Sequence, residues 1–303
     1  MSVVLTHHYG PRVARRVPDD WVDSPYHRFT ITPLSPIIGA EIDGVDLRDV
    51  GDEVFADIHR ALLEWKVLFF RGQDLDRHQH AEFARRFGPL EQHPFFKHMK
   101  STPGQPESDP EVVRFAKGVE TPGYENVWHS DVTWSATPSM GAVLRAVEIP
   151  PVGGDTLWAD IGAAYDGLPA DVRARIDHLH AEHDWMHAFG ASMGADRAAM
   201  LRPTFPAVVH PVVRTHPETG RRTLFVNRSF TKHIVGLEAA ESDELLDTLY
   251  RQSDFPEYQC RFRWTAGAVA IWDNRATQHY AASDYYPQVR VMERVSIAGD
   301  VPF

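Results

Sequence analysis

Short apolar runs punctuated by glycine, proline and Asp/Asn turns dominate the chain, and few stretches carry the three-to-four-residue spacing of a helix. Runs rich in β-formers predict strands at Phe29–Ile31, Ile37–Ile42, Val67–Phe70, Val112–Phe115, Met140–Val147, Thr156–Trp158, Ala207–Val213, Gln259–Trp264, Ala268–Trp272 and Arg290–Ile297. Turn signals such as Pro151-Val-Gly-Gly and Pro217-Glu-Thr-Gly separate them. Val54, Ile58, Leu62 and Trp65 predict a helix over 54–65, and Asp76 caps a second that stops at Gly88. Further helices are expected over 169–178 and over 238–251, the latter from Leu245, Leu246 and Leu249. Two segments, 117–127 and 187–206, read as irregular active-site loops. The fold class is therefore mainly β with surrounding helices, a sandwich or jelly roll. No linker, repeat or low-complexity tract divides the chain, so residues 29–303 are expected to form one domain behind an N-terminal arm, residues 1–28, that is poorly ordered or surface-draped.

Composition narrows the partners. With 303 residues and 43% hydrophobic content, a sizeable core needs no disulfide or metal to hold it. A net charge of -11 argues against a nucleic-acid partner but allows a small anionic substrate, since a local pair of arginines works inside an acidic protein. The lone Cys260 excludes an intramolecular disulfide and a thiolate-only metal site. No stretch approaches a membrane span and no secretory signal is read at the start, so a cytoplasmic location is expected.

Seventeen histidines must be sorted. His-x-acid occurs four times: His80/Glu82, His129/Asp131, His180/Glu182 and His216/Glu218. Such a pair faces one way only on an extended backbone. The first lies in a helical pattern and the last in a turn. His129 and Asp131 lie in VWHSDVTW, rich in β-formers, and with a distant histidine they would form a three-ligand site with open positions. By spacing alone iron, zinc or ordinary polar roles all remain open. The cluster HLHAEHDWMH over 178–187 lacks the HExxH pattern and reads as surface and supporting histidines.

The C-terminal segment adds His279, and beyond it Arg290 and Arg294, which share a face of a predicted strand. Two guanidiniums in one cavity suit two anionic guests; salt bridging with acids such as Glu293 is the plainer alternative.

Together, ITPLSPIIGAEIDGVDL, WHSDVTW, GGDTLWAD, HPVVRTHPETGRRTLFVN, ESDELL and WDNRATQHYAASDY with its two following arginines resemble the TauD/TfdA superfamily of 2-oxoglutarate-dependent dioxygenases, the taurine dioxygenase group above all. The likeness runs from about Thr30 to the C-terminus. It implies a double-stranded β-helix with Fe(II) on His129, Asp131 and His279, and 2-oxoglutarate and dioxygen as co-substrates. It also implies that Thr156 and Arg290 hold the far carboxylate of 2-oxoglutarate, that Arg294 and His93 hold the substrate's anionic head, and that Val132, Phe189 and Phe230 form apolar walls. Homo-oligomers, dimeric or tetrameric, are implied as well.

The substrate positions depart from that pattern. Phe96 and Ala188 stand where hydroxyl-bearing residues are found, and Glu125 or Asn126 takes the place of an asparagine that reads an amine. The expected activity is hydroxylation of a small sulfonate, taurine foremost, at the carbon bearing sulfur, with release of sulfite. An alkylsulfatase-like or carboxylate-directed oxygenase is the alternative within the superfamily. Outside it stand a non-catalytic metal-binding sensor and a zinc hydrolase; neither explains why Thr156 and Arg290 accompany the three ligands.

Overall fold

The computed structural model describes residues 12, 14–92, 111–121, 123 and 125–303. After an irregular start, β1 (Thr30–Pro33) and β2 (Ala40–Asp43) lead to α1 (Asp52–Trp65), β3 (Val67–Phe70), α2 (Arg77–Arg85) and β4 (Leu90–Glu91). Then come β5 (Val112–Lys117), β6 (Gly141–Glu148), β7 (Thr156–Asp160), α3 (Ile161–Asp166), α4 (Ala170–Ile176) and β8 (His180–His183). They are followed by α5 (Trp185–Met193), α6 (Ala195–Leu201), β9 (Val208–Pro211), β10 (Val213–Thr215), β11 (Arg222–Leu224) and β12 (Thr231–Ile234). The chain ends with α7 (Ala239–Tyr250), β13 (Gln259–Phe262), β14 (Val269–Asp273), β15 (Thr277–Ala281) and β16 (Arg290–Ile297). No helix among the described residues is long and apolar enough to cross a membrane.

The main sheet runs β1-β2-β3-β14-β6-β16-β4, with β5 also paired to β16. A smaller sheet, β13-β7-β15, faces it. Between them lies an aromatic core in which Phe69 stacks on Phe262 at 4.1 Å and Trp158 meets Trp272 at 5.9 Å. A second core, built on Ile58, Leu62 and Trp65 of α1 and Phe83 of α2, covers the other face of the main sheet. The helices form as their end signals demand. Asp76 and Gln79 make a reciprocal capping box on α2, and α1 closes where Lys66 turns left-handed and donates its N–H to Leu62 O.

Three expectations fail for identifiable reasons. The segment 187–206 holds α5 and α6 instead of an irregular loop; Gly190 and Gly194 interrupt its apolar spacing, although Asp184 caps α5 through Met186 N. The run 207–213 splits into β9 and β10, because Val212 leaves the ladder to donate its N–H to Leu179 O. VWHSDVTW makes one isolated bridge at His129 and then turns, with Val132 at φ 56°, so it is not a strand.

Strand β16 decides both faces of the main sheet. Its residues 290, 292 and 294 look into the space between the sheets, and Glu293 looks the other way. There Glu293, only 1% exposed, meets Arg77 (2.7 Å), Arg145 (2.6 Å) and Arg114 (3.1 Å). That hub ties α2, β5 and β6 to β16, and it removes Glu293 as a partner for Arg290 or Arg294. Burial alone would raise the Glu293 carboxyl; the guanidiniums of Arg145 and Arg77 outweigh burial and hold it at about 2. A carboxyl lowered on folding contributes stability in full above its unfolded pKa, near 4.5, and loses it as pH falls toward 2. Glu293→Gln is therefore expected to cost roughly 3 kcal/mol at neutral pH. Chemical denaturation at pH 7 and pH 3 checks this: the variant should show a smaller loss between the two than the parent. An equal loss would remove Glu293 from the acid response.

Candidate active site

His279 occupies the middle of β15, opposite Trp158 of β7. Its backbone exchanges two hydrogen bonds with His129, at 3.1 and 2.8 Å. The two imidazoles consequently lie side by side, 4.2 Å between centroids. Two further contacts lock the same segment: Ser130 Oγ donates to Thr277 O (2.7 Å) and Asp131 N to Asn274 Oδ1 (3.4 Å). Asn274 is itself held by Trp272 Nε1 at 2.9 Å. The left-handed turn at Val132 then reverses the chain. A β-branched residue in that region is strained, and such strain persists where surrounding contacts hold it. The turn, and not the alternation of a strand, brings the Asp131 carboxylate beside both imidazoles.

One ligand atom from each of His129, Asp131 and His279 lies within 4.8 Å of the others, the one such group found among the described residues. His129 Nδ1 stands 2.8 Å from Val127 O. A carbonyl only accepts, so Nδ1 donates and Nε2, 3.9 Å from Asp131 Oδ1, is the nitrogen placed to ligate a metal. Burial and the neighbouring His129 push the His279 pKa down to about 3, which keeps that imidazole neutral and able to ligate. Two neutral imidazoles and one carboxylate fit a divalent metal with open positions.

The remaining His-x-acid pairs are satisfied elsewhere. His80 meets Val143 O while Glu82 faces Arg85. His216 binds Asp273 at 2.9 Å while Glu218 pairs with Arg275 and His59. His180 is exposed while Glu182 pairs with Lys232 at 2.9 Å, and the neighbouring His183 is buried against Thr133 Oγ1 at 3.0 Å.

His129, His279, Thr156, Arg290, Arg294 and Glu125 line one cavity, together with Lys117 and Phe115, which sequence reasoning did not single out. At one end Arg290 is buried, donates Nε to Gly154 O (3.0 Å) and Nη2 to Thr156 Oγ1 (3.4 Å), and has no carboxylate within ion-pair distance among the described residues. Burial accordingly lowers its pKa. Thr156 Oγ1 also accepts from Trp264 Nε1 at 2.9 Å, leaving the hydroxyl proton to donate into the cavity. A desolvated guanidinium beside an available hydroxyl donor is a receptor for an anion. The close approach requires Gly154: a Cβ there would sit 3.0 Å from Arg290 Cδ.

At the other end Arg294 donates Nη1 to Asp131 Oδ1 at 2.9 Å and lies over the Phe115 ring. Its Nε is buried and makes no hydrogen bond among the described residues. Glu91, held by Ser139 Oγ at 2.5 Å, stands near this pair, and burial raises its pKa. An apolar wall flanks His129: the Phe230 ring is 6.3 Å from it and Phe189 is 5.7 Å from Phe230, with Val132 in the same cluster. Asn227 fixes this wall to the metal turn, since its Oδ1 accepts from Phe230 N (3.0 Å) and its Nδ2 donates to Thr133 Oγ1 (3.0 Å). Asn126 and Ala188 are exposed and do not line the cavity. His93 and Phe96 lie outside the described residues.

The sequence model of the Taurine catabolism dioxygenase TauD, TfdA family matches residues 30–296. The chain belongs to that family. Among the relatives of this TauD/TfdA dioxygenase, the alkylsulfatase of Acinetobacter baylyi is 36% identical over 290 residues, 93% of this chain and 88% of that protein. The alpha-ketoglutarate-dependent sulfate ester dioxygenase of Pseudomonas putida is 39% identical, covering 90% of both chains. A crystal structure of a taurine dioxygenase from Burkholderia xenovorans superposes with a TM-score of 0.77 at 38% identity, covering 91% of this chain and 93% of that one. These structural neighbours agree with the jelly-roll reading of the two facing sheets.

Asn274 touches no ligand atom yet holds the backbone of Asp131. Asn274→Ala is expected to weaken Mn(II) binding about 10–100-fold, the range for loss of a group that orients a ligand. Calorimetric titration of the folded variant measures it, and parental affinity would show that Asp131 needs no such support.

Proposed function

We propose that this dioxygenase uses one Fe(II), held by His129, Asp131 and His279, with 2-oxoglutarate and dioxygen as co-substrates, to oxidise a small organosulfur anion at the carbon next to its sulfur-bearing group. The observation that carries the reading is a single cavity lined by His129, His279, Arg290 and Arg294, with Asp131 beside both imidazoles and, among the described residues, no carboxylate at ion-pair distance from Arg290. Bound iron supplies dioxygen activation coupled to decarboxylation of 2-oxoglutarate to succinate and carbon dioxide.

The chain's own residues position the two guests. Arg290 and Thr156 receive the far carboxylate of 2-oxoglutarate, which directs its keto-acid end toward the ligands. Arg294 keeps one nitrogen on Asp131 and offers Nε to the substrate's anionic head. Holding that head beside the ligands selects which C–H lies in reach. Phe230, Phe189 and Val132 keep water from that flank. Hydroxylation at a carbon bearing an O-sulfate leaves a product that collapses to aldehyde and sulfate; at a carbon bearing a sulfonate it collapses to aldehyde and sulfite.

Taurine needs a partner for its ammonium. Glu125 is ion-paired with Lys117 at 2.8 Å, and Asn126 is exposed. This arrangement favours an alkyl sulfate ester or an unaminated alkyl sulfonate over taurine; the identities, 36–39% to an alkylsulfatase and a sulfate ester dioxygenase and 38% to a taurine dioxygenase, are alike.

Assays with Fe(II), ascorbate and 2-oxoglutarate across alkyl sulfates, alkyl sulfonates, taurine and aryloxyacetates decide among these. Substrate-dependent succinate with sulfate or sulfite release is the expected result. Turnover of taurine above all alkyl compounds would overturn the preference, and no succinate with any compound would overturn the activity. Arg294→Ala should raise KM for the organosulfur anion about 10–100-fold, as expected for losing hydrogen bonds from a charged group. The KM for 2-oxoglutarate should change far less; equal losses would refute the division of labour between Arg290 and Arg294.

A further inference from the structure

The two histidine ligands are held in different ways. His129 Nδ1 has an acceptor, Val127 O at 2.8 Å, and that contact sets the rotation of its ring. His279 presents Nε2 to the site, 4.0 Å from Asp131 Oδ2. Its Nδ1 must then carry the proton, yet that nitrogen is buried from solvent and has no hydrogen-bond partner among the described residues. The backbone hydrogen bonds with His129 fix where the residue sits, but they leave its ring free to turn about the side-chain bonds. Orientation of the His279 imidazole therefore has to come from packing.

Trp272 supplies that packing. Its ring lies 5.0 Å from the His279 ring between centroids, tilted by 55°, within the range of a favourable aromatic pair. Trp272 belongs to β14 of the main sheet and His279 to β15 of the smaller one, so the contact crosses the space between the sheets. The indole is itself fixed. Trp272 is 1% exposed, stands in the ladder between Val67 and Ala142, and meets Trp158 at 5.9 Å. Its Nε1 donates to Asn274 Oδ1 at 2.9 Å, and the same oxygen accepts from Asp131 N at 3.4 Å. One side chain thus reaches two ligands by two routes. The ring meets His279 directly, and the N–H reaches Asp131 through Asn274.

We propose that Trp272 is a positioning residue of the metal centre: its ring orients the His279 imidazole, independently of the hydrogen bond by which its N–H supports Asp131. The proposal rests on the assignment of His129, Asp131 and His279 as the ligands. A core residue that only fills volume can be exchanged for another apolar side chain of about the same size. A residue that orients a ring needs a flat face at that place. With the indole gone, the His279 imidazole gains rotations that turn Nε2 out of the site, and affinity for a divalent cation falls by the share of the population so lost. His129, tied at Nδ1, gains none.

Calorimetric titration of the metal-free full chain with Mn(II) tests this, because the two routes can be cut separately. Trp272→Phe keeps a ring and loses the N–H, whereas Trp272→Leu loses both. The Phe variant should weaken Mn(II) binding about as much as Asn274→Ala, and the Leu variant about tenfold more. In an Asn274→Ala background the N–H has already lost its partner. There Trp272→Phe should add little, and Trp272→Leu should still cost about tenfold. Phe69→Leu is the control for a loosened core, since its ring packs on Phe262 and Trp158. It should lower thermal stability and leave the Mn(II) affinity of the folded chain unchanged. Equal Mn(II) affinity of the Phe and Leu variants in the Asn274→Ala background would overturn the proposal, as would a loss in Phe69→Leu as large as that in Trp272→Leu. No Mn(II) binding by the parent would overturn the ligand assignment and this proposal with it.

Discussion

The pair of backbone hydrogen bonds between His129 and His279 is the constraint on which the site depends. It joins a loop to the middle strand residue of a different sheet, and it sets two imidazoles side by side before any ligand arrives. Strand β15 can serve as the anchor because the two polar side chains that precede His279 are satisfied in place. Thr277 Oγ1 donates to Asp273 O and Gln278 Nε2 to Val226 O. A buried polar strand without such partners would be costly. The third ligand then follows from a turn: Asn274 holds the Asp131 backbone, and the strained φ at Val132 directs the chain back.

The anion sites obey a second constraint, the alternation of β16. One face of this strand carries Arg290 and Arg294 into the cavity, and the other carries Glu293 into a hub of three arginines. The strand is therefore clamped from behind by charge and presents charge in front. This is how a chain of net charge -11 makes a local receptor for anions. The acids are numerous, but the walls of the cavity take their charge from particular strand positions, and long-range repulsion is weak beside a buried guanidinium in contact range.

What could be read from the residues follows the same division. Period-two alternation and end signals survive in sequence, so β16, β3, the apolar stripe of α1 and the N-cap of α2 were legible, as was the shared face of Arg290 and Arg294. The ligand triad was legible only through its resemblance to a family, because His129/Asp131 is one of four similar pairs and the geometry that distinguishes it is tertiary. β15 gave no signal: its first three residues, Thr277, Gln278 and His279, are all buried, so nothing alternates. Asn274 and Asn227 carry no periodic signal, yet each hydrogen-bonds across the fold. Lys117 ends a strand and reads as a solvated lysine. Only its register opposite Arg290 and its pairing with Glu125 place it in the cavity.

The Asn227 contacts bear on how substrate range can change in this scaffold. The Phe230 backbone is pinned on both sides, by Asn227 Oδ1 at its N–H and by Asp184 N at its carbonyl. Asn227 also grips Thr133, two residues beyond the ligand Asp131. Moving the Phe230 backbone to admit a different substrate would therefore pull on the metal turn. Leu144 and Phe115 belong to strands β6 and β5 and line the cavity on the opposite sheet, where the ladder fixes the backbone whatever the side chain is. Phe115 carries its own restriction, since Arg294 lies over its ring. Leu144 is therefore one described lining position where volume can change without moving the ligands or either anion site. Differences in substrate length among proteins with this arrangement should accordingly be found there.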